Sequence, residues 1–313
     1  MRPAFSVIFL TTLIGAGQGL FLALYAAESA TALGWLSARP GTGFHVAGSV
    51  LALALLAGGL FASFFHLGHP ERAWRAAAMW RTSWLSREVI VLPAFMCVVA
   101  LYGAAHYAGH RFSWPIGAAG VVLCLTLYVC TGMIYACIKF LQEWATPLTL
   151  VNYTLLGCAS GFTLAAVLAA HMAPEIAPAL AGSAIGLTLA GFASCAALLV
   201  RNSRLRPRST LQTAIGVKHP RIAQTAQGFM GGSFNTREFF HGQEPSRLRA
   251  VKLMFLAGAF PIPALLLGAG LLDAASLFYS AAFAVQYAGV VGERWYFFAQ
   301  ASHPQNLYYQ AMS

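Results

Sequence analysis

The chain has 313 residues, 58% of them hydrophobic and only 9% charged, with a formal net charge of +10 and a mean hydropathy of +0.67. A soluble domain carries roughly 25% charged residues, and no soluble fold of this length can hide so much apolar surface, so its solvent is lipid. The basic excess marks a nucleic-acid binder only when it clusters on a binding fold; here it is spread between apolar runs, and no nucleic-acid partner is expected.

A membrane-spanning helix needs ~20 mostly apolar residues. Such runs are predicted at about 4–27, 42–66, 86–108, 114–137, 147–171, 177–200, 252–271 and 274–298. The expected architecture is an all-α integral membrane protein with eight transmembrane helices in two adjacent bundles, residues 1–313 forming a single polytopic domain. The first run has no cleavage-site pattern and is read as a retained helix. Gly15, Gly17, Gly19, Pro93, Pro261 and Pro263 fall inside the runs. Glycine lets neighbouring membrane helices approach, and proline kinks them.

With eight spans, both termini and the even-numbered loops share one side. All 19 lysines and arginines except Arg39 and Arg111 lie on that side. Basic loops stay in the cytoplasm. A multi-pass protein of the bacterial inner membrane is expected, with both termini and the 201–251 loop cytoplasmic. That loop has no hydrophobic core of its own. Its TAQGFMGGSFNTREFFHG segment mixes arginine with Phe229, Phe234, Phe239 and Phe240, a composition suited to a protein partner or to an anionic lipid surface.

Ionisable groups at membrane depth are costly and so tend to be functional or paired. They gather in FHLGHPERAWRAAAMWRTSWLSREVI, residues 65–90. His66 ends the second span, and Arg87 and Glu88 open the third. Lys139 and Glu143 close the fourth, and Glu293 and Arg294 close the eighth. An acid, an imidazole and guanidinium groups on converging helix ends suit a quinone head group, whose carbonyl oxygens need donors that also relay protons. An imidazole ordinarily titrates near neutrality, which suits His66, and Glu88 is suited as a proton donor if burial raises its pKa. Arg72, Arg75, Arg81, Trp84 and Arg294 are further quinone-binding candidates. The same arginines serve equally as topology anchors, and Trp80 and Trp84 as interfacial belt residues.

Other readings are open at this stage. His45, His106 and His171 lie near the outer ends of spans two, three and five, with His110 just beyond; a haem between them is not expected, since interfacial histidines are commoner than axial pairs. A small-molecule transporter would use mid-span polar groups such as Gln18 and Asn152, but the sequence has no central charged pair and no inverted repeat of broken helices. Gln18 either faces a cleft or bridges helices. The six cysteines, Cys97, Cys124, Cys130, Cys137, Cys158 and Cys195, lie in apolar runs without a CxxC pair, and are expected as buried, inert thiols.

Several of these stretches resemble one family. AFSVIFLTTLIGAGQGLF in span one, FFHLGHPERAWRA after span two, SWLSREVI opening span three and GERWYFFAQ closing span eight are similar to the membrane anchor subunits of the dimethyl sulfoxide reductase family, the DmsC-like proteins. Span one and MIYACIKFLQEWATPLTLVNYTLLGCASGFTLA are most similar to the sulfite dehydrogenase (quinone) branch. The resemblance covers essentially the whole chain. It implies a subunit without a catalytic metal centre that holds a molybdopterin subunit and an iron–sulfur subunit on the membrane. It implies exchange of electrons with ubiquinone or menaquinone at the histidine of the HLG turn, His66, and the glutamate after the LS dipeptide, Glu88. The basic side carries the loop that faces the catalytic subunits in that family, so those subunits are expected in the cytoplasm, feeding electrons from sulfite oxidation into quinone. A quinol-oxidising reductase anchor with the same site is the alternative.

Overall fold

A computed structural model describes residues 4–110, 112–206, 210–222, 244–273 and 275–301. Helices α1 (Phe5–Ala32), α2 (Thr42–Ser63), α3 (Trp84–Tyr107), α4 (Ser113–Ala136), α5 (Pro147–Met172) and α6 (Ala177–Ser203) follow one another. After them come a short α7 (Leu211–Ile215), then α8 (Pro245–Ala259), α9 (Pro261–Asp273) and α10 (Ser276–Ala299). No strand occurs among the described residues. In hydrocarbon every backbone N–H and C=O must bond within its own segment, and a helix does this locally.

Seven spans are long and apolar enough to cross a bilayer, counting α8 and α9 as one. The eighth expected span is present as α10, 24 residues long, but Gln286, Glu293, Arg294 and three tyrosines make it the most polar of the set. Boundaries differ from expectation in informative places. Span one runs on to Ala32, taking Glu28 into the helix, and stops where Gly34 adopts a left-handed φ of 74°. Span three starts at Trp84, capped by Ser83, whose Oγ accepts from Ser86 N at 3.4 Å. Lys139 and Glu143 lie beyond α4 in the 137–146 connection. Span seven breaks at Phe260, because Pro261 has no N–H to continue the ladder.

The first four helices pack on one another, and α5, α6, α8–α9 and α10 form a second group. The two groups meet along α1 and α5, the most enclosed spans, with 72% and 61% of their apolar windows buried. Gly15 and Gly19 on α1 face Gly157 and Gly161 on α5, both pairs spaced GxxxG. The seam is backbone against backbone: a Cβ on Gly15 would sit 3.4 Å from Gly157 Cα, and one on Gly161 would collide with the Gly19 backbone.

Polar side chains inside the spans tie helices together. Gln18 Nε2 donates to the Cys124 carbonyl at 2.9 Å, so this amide bridges α1 to α4. Thr163 donates to Gln286 Oε1 at 2.6 Å, and Gln286 Nε2 donates to Thr188 Oγ1 at 2.8 Å, joining α5, α10 and α6. The cysteine expectation needs correcting. Cys124, Cys130, Cys158 and Cys195 are buried, but Cys97 and Cys137 are exposed on the helix surface, where lipid is the apolar phase.

Candidate functional site

The connections after α2 and after α4 lie at the end of the bundle that carries the basic residues. From α2 the chain passes through a 3-10 turn, Phe64–His66, into a 3-10 helix, Pro70–Met79. His66 is exposed on the first turn. Arg72 is exposed, with its Nε 3.8 Å from Glu71 Oε1. Arg75 and Arg81 are exposed too, and their guanidiniums lie 5.5 and 5.4 Å from the Trp74 and Trp80 ring centroids. Arg87 fastens this connection to the start of α3. It donates to the carbonyls of Trp80 at 2.9 Å and Arg81 at 2.8 Å, and covers the Trp84 ring at 4.2 Å.

Glu88, one residue on, turns the other way. It is 7% exposed, and Thr131 of α4 donates to its Oε1 at 2.5 Å. On the lipid side of the same α3–α4 contact runs an open groove of about 550 Å³, from Trp84, Arg87 and Cys130 at the basic end to Val122 in mid-span. Cys130, which lines the groove, precedes Thr131 on α4. A buried carboxylate therefore stands behind an amphiphile-sized groove with a tryptophan and a guanidinium at its rim. Among the described residues no hydrogen bond or ion pair joins His66 to Glu88.

Arg294 lies deeper, and a constellation surrounds it that the sequence pattern does not reveal. Arg294 Nε is 2.8 Å from Glu293 Oε2, and its guanidinium carbon stands 3.7 Å from the Tyr153 ring centroid. Tyr153 stacks on Tyr135 of α4 with centroids 5.5 Å apart. Trp144, Phe297 and Phe298 enclose the group, and Trp144 Nε1 donates to the Phe297 carbonyl at 3.0 Å. Tyr135 lies one turn of α4 from Thr131, which bonds Glu88, so the group reaches from α10 toward α3. Only Arg294 and Glu293 are visible as a membrane-depth ion pair in the sequence. Tyr135 and Tyr153 look like ordinary belt aromatics there, and Thr131 like any helix threonine.

A second polar cluster lies at the opposite end. Glu28 accepts from Tyr102 Oη at 2.8 Å and from Ser113 Oγ at 2.6 Å, and His106 Nε2 lies 3.5 Å away. His45 stacks on His106 at 4.1 Å, with the rings 9° from parallel. Two of the outer histidines thus meet, face to face rather than edge-on toward a shared centre. His110 and His171 are exposed and apart from them. The aromatic segment of the 201–251 loop, with Phe229, Phe234, Phe239 and Phe240, lies outside the described residues, as do Arg2, Arg111, Arg208 and Arg237.

The comparisons with known proteins agree with this layout. The family described as "DMSO reductase anchor subunit (DmsC)" matches residues 2–206. A sulfite dehydrogenase subunit of Allochromatium vinosum is 52% identical over 330 aligned positions that cover all of both chains. A bundle of apolar helices, a full-length relative at this identity and a family match over most of the chain lead to one conclusion: the protein belongs to the DMSO reductase anchor subunit family and is a multi-pass membrane anchor within an assembly of several subunits.

Proposed function

We propose that this anchor passes electrons from cytoplasmic sulfite oxidation to the quinone pool. It does so in the bacterial inner membrane, with both termini and the basic loops in the cytoplasm. The partners are an iron–sulfur subunit and a molybdopterin subunit docked on the basic face. The arginine–tryptophan segment 70–87, with Trp74 71% and Trp80 52% exposed, supplies a surface of the kind found at interface cores.

The observation that carries the reading is Glu88: a carboxylate buried at the bilayer edge, held by Thr131 behind a groove of ligand size. Quinone reduction takes two electrons and two protons. The electrons come from the nearest iron–sulfur centre of the partner. Glu88 donates a proton to a carbonyl oxygen of the head group, and His66, at the water boundary, serves the other. Trp84 flanks the ring, and the groove berths the isoprenoid tail. Arg72, Arg75 and Arg81 hold the partner and the loop. Arg294 acts on the site from behind, through Tyr153 and Tyr135.

The test uses the purified complex and a short-tailed quinone. Glu88→Gln and His66→Ala should each lower sulfite-dependent quinone reduction by about 100-fold, the usual worth of a general acid, while sulfite oxidation with a soluble one-electron acceptor persists. Unchanged quinone turnover in both variants would refute the site. A reporter fused within 201–251 that reads periplasmic would overturn the orientation.

A further inference from the structure

Buried polar atoms in folded proteins nearly always have partners, and each exception has a cause. Six of the exceptions lie in two pairs of adjacent residues. Tyr153 Oη, both Nη atoms of Arg294, Glu293 Oε2 and both amide atoms of Asn152 are buried without a hydrogen bond among the described residues. The side chains are not marginal: Asn152 is 1%, Arg294 3%, Glu293 4% and Tyr153 6% exposed. The Glu293–Arg294 ion pair is close at 2.8 Å but badly angled, so the carboxylate keeps accepting capacity. Buried polar groups left open in this way are where proteins hold internal water.

The cluster also has two ends. At one, α10 packs on α8: the Phe255 ring, three residues on from Lys252, lies 5.1 Å from that of Tyr296, three residues on from Glu293. At the other, Tyr153 stacks on Tyr135, which follows Thr131, the donor to Glu88, by one turn of α4. The order Lys252, Glu293–Arg294, Tyr153, Tyr135, Glu88 crosses from the second helix group to the first. A tyrosine hydroxyl both donates and accepts, as a relay member must. An arginine stays protonated, so Arg294 is no carrier. Its cation lies over the Tyr153 ring and beside Glu293, and orients both.

We infer that Glu293, Tyr153 and Tyr135, with water held on the open donors of Arg294 and Asn152, form a proton path that reloads Glu88 from the basic face. The inference rests on the quinone reading above. For each quinone reduced, two electrons arrive from the iron–sulfur partner and two protons from water on that face. A proton that leaves Glu88 for a quinone oxygen is replaced through Tyr135, whose own proton comes by way of Tyr153 and water from Glu293. The path carries protons only, and Tyr135 and Tyr153 are not oxidised.

The experiment compares Glu293→Gln, Tyr153→Phe and Tyr135→Phe in the intact complex with saturating short-tailed quinone. The expected result is a fall in maximal quinone-reduction rate of about 100-fold. A larger solvent isotope effect should accompany it, with the KM for quinone and the rate with a soluble acceptor unchanged. A merely structural role would leave the isotope effect at the native value. Rates within twofold of native in all three variants would overturn the path. So would a loss confined to KM. Tyr153→Phe and Tyr135→Phe keep the ring stack, so they decide the matter if Glu293→Gln does not assemble. If Glu88→Gln is inactive while all three relay variants are native, the relay fails and the quinone site stands. If Glu88→Gln is itself native, the quinone reading fails first.

Discussion

The two polar clusters at opposite ends of the bundle have similar ingredients and opposite wiring. At the far end one carboxylate, Glu28, gathers a phenol, a hydroxyl and an imidazole from α3 and α4, while His45 of α2 seals the group by stacking. Of this group only His106 Nε2 is buried without a hydrogen bond among the described residues. At the basic end Arg294, Glu293, Tyr153 and Asn152 keep six atoms open, although they are buried more deeply. Satisfied polar networks rigidify a core, whereas an open one is costly unless something else occupies it. The first cluster therefore clamps the first four helices, and the second keeps the open donors and acceptors that the proposed proton path requires.

The comparison breaks most severely if the seam between the helix groups is forced apart, because the basic-end path crosses it. Gly161→Leu, whose side chain has only the Gly19 backbone to enter, should cost at least about 3 kcal/mol, read as loss of folded protein in detergent and a lowered Tm. Next in size is Glu28→Gln. It removes the ionised acceptor of two hydrogen bonds, each worth about 1.5–3 kcal/mol to a charged group. Thermal unfolding should move by several degrees while quinone turnover stays within twofold. A turnover collapse in Glu28→Gln with unchanged stability would reverse the assignment of the two clusters. The smallest effect belongs to Gln18→Leu, which loses the bridge to the Cys124 carbonyl. Interhelical hydrogen bonds in membranes average about 0.6 kcal/mol, so a barely resolved shift in Tm is expected, with native turnover.

Much of this molecule is legible without coordinates. Apolar runs of bilayer length force helices, since lipid offers backbone groups no other partner. The lysine and arginine bias ranks the two faces, and the charges of 65–90 single out Glu88. One local boundary needed adjustment. The first span is expected to end near 27, yet Glu28 lies inside α1 because the helix continues to its Gly34 stop. Arg72, Arg75 and Arg81 share a stretch with Glu88, but their guanidiniums lie over tryptophans or beside Glu71 at the surface, while Glu88 points inward.

Span number, sidedness and the presence of costly charges follow from composition and period, which are properties of each segment in turn. Which buried groups meet is a different matter. Glu88 finds Thr131 43 residues away, Trp144 finds Phe297 153 residues away, and Tyr153 meets Arg294 only because α5 and α10 share one end of the second group. In membrane helices the outward faces are all apolar and no polar–apolar alternation marks the inner side, so packing partners are set by small-residue fits such as Gly19 against Gly161. Those fits exist only between helices, and they decide where a phenol, a carboxylate and a guanidinium come to lie together.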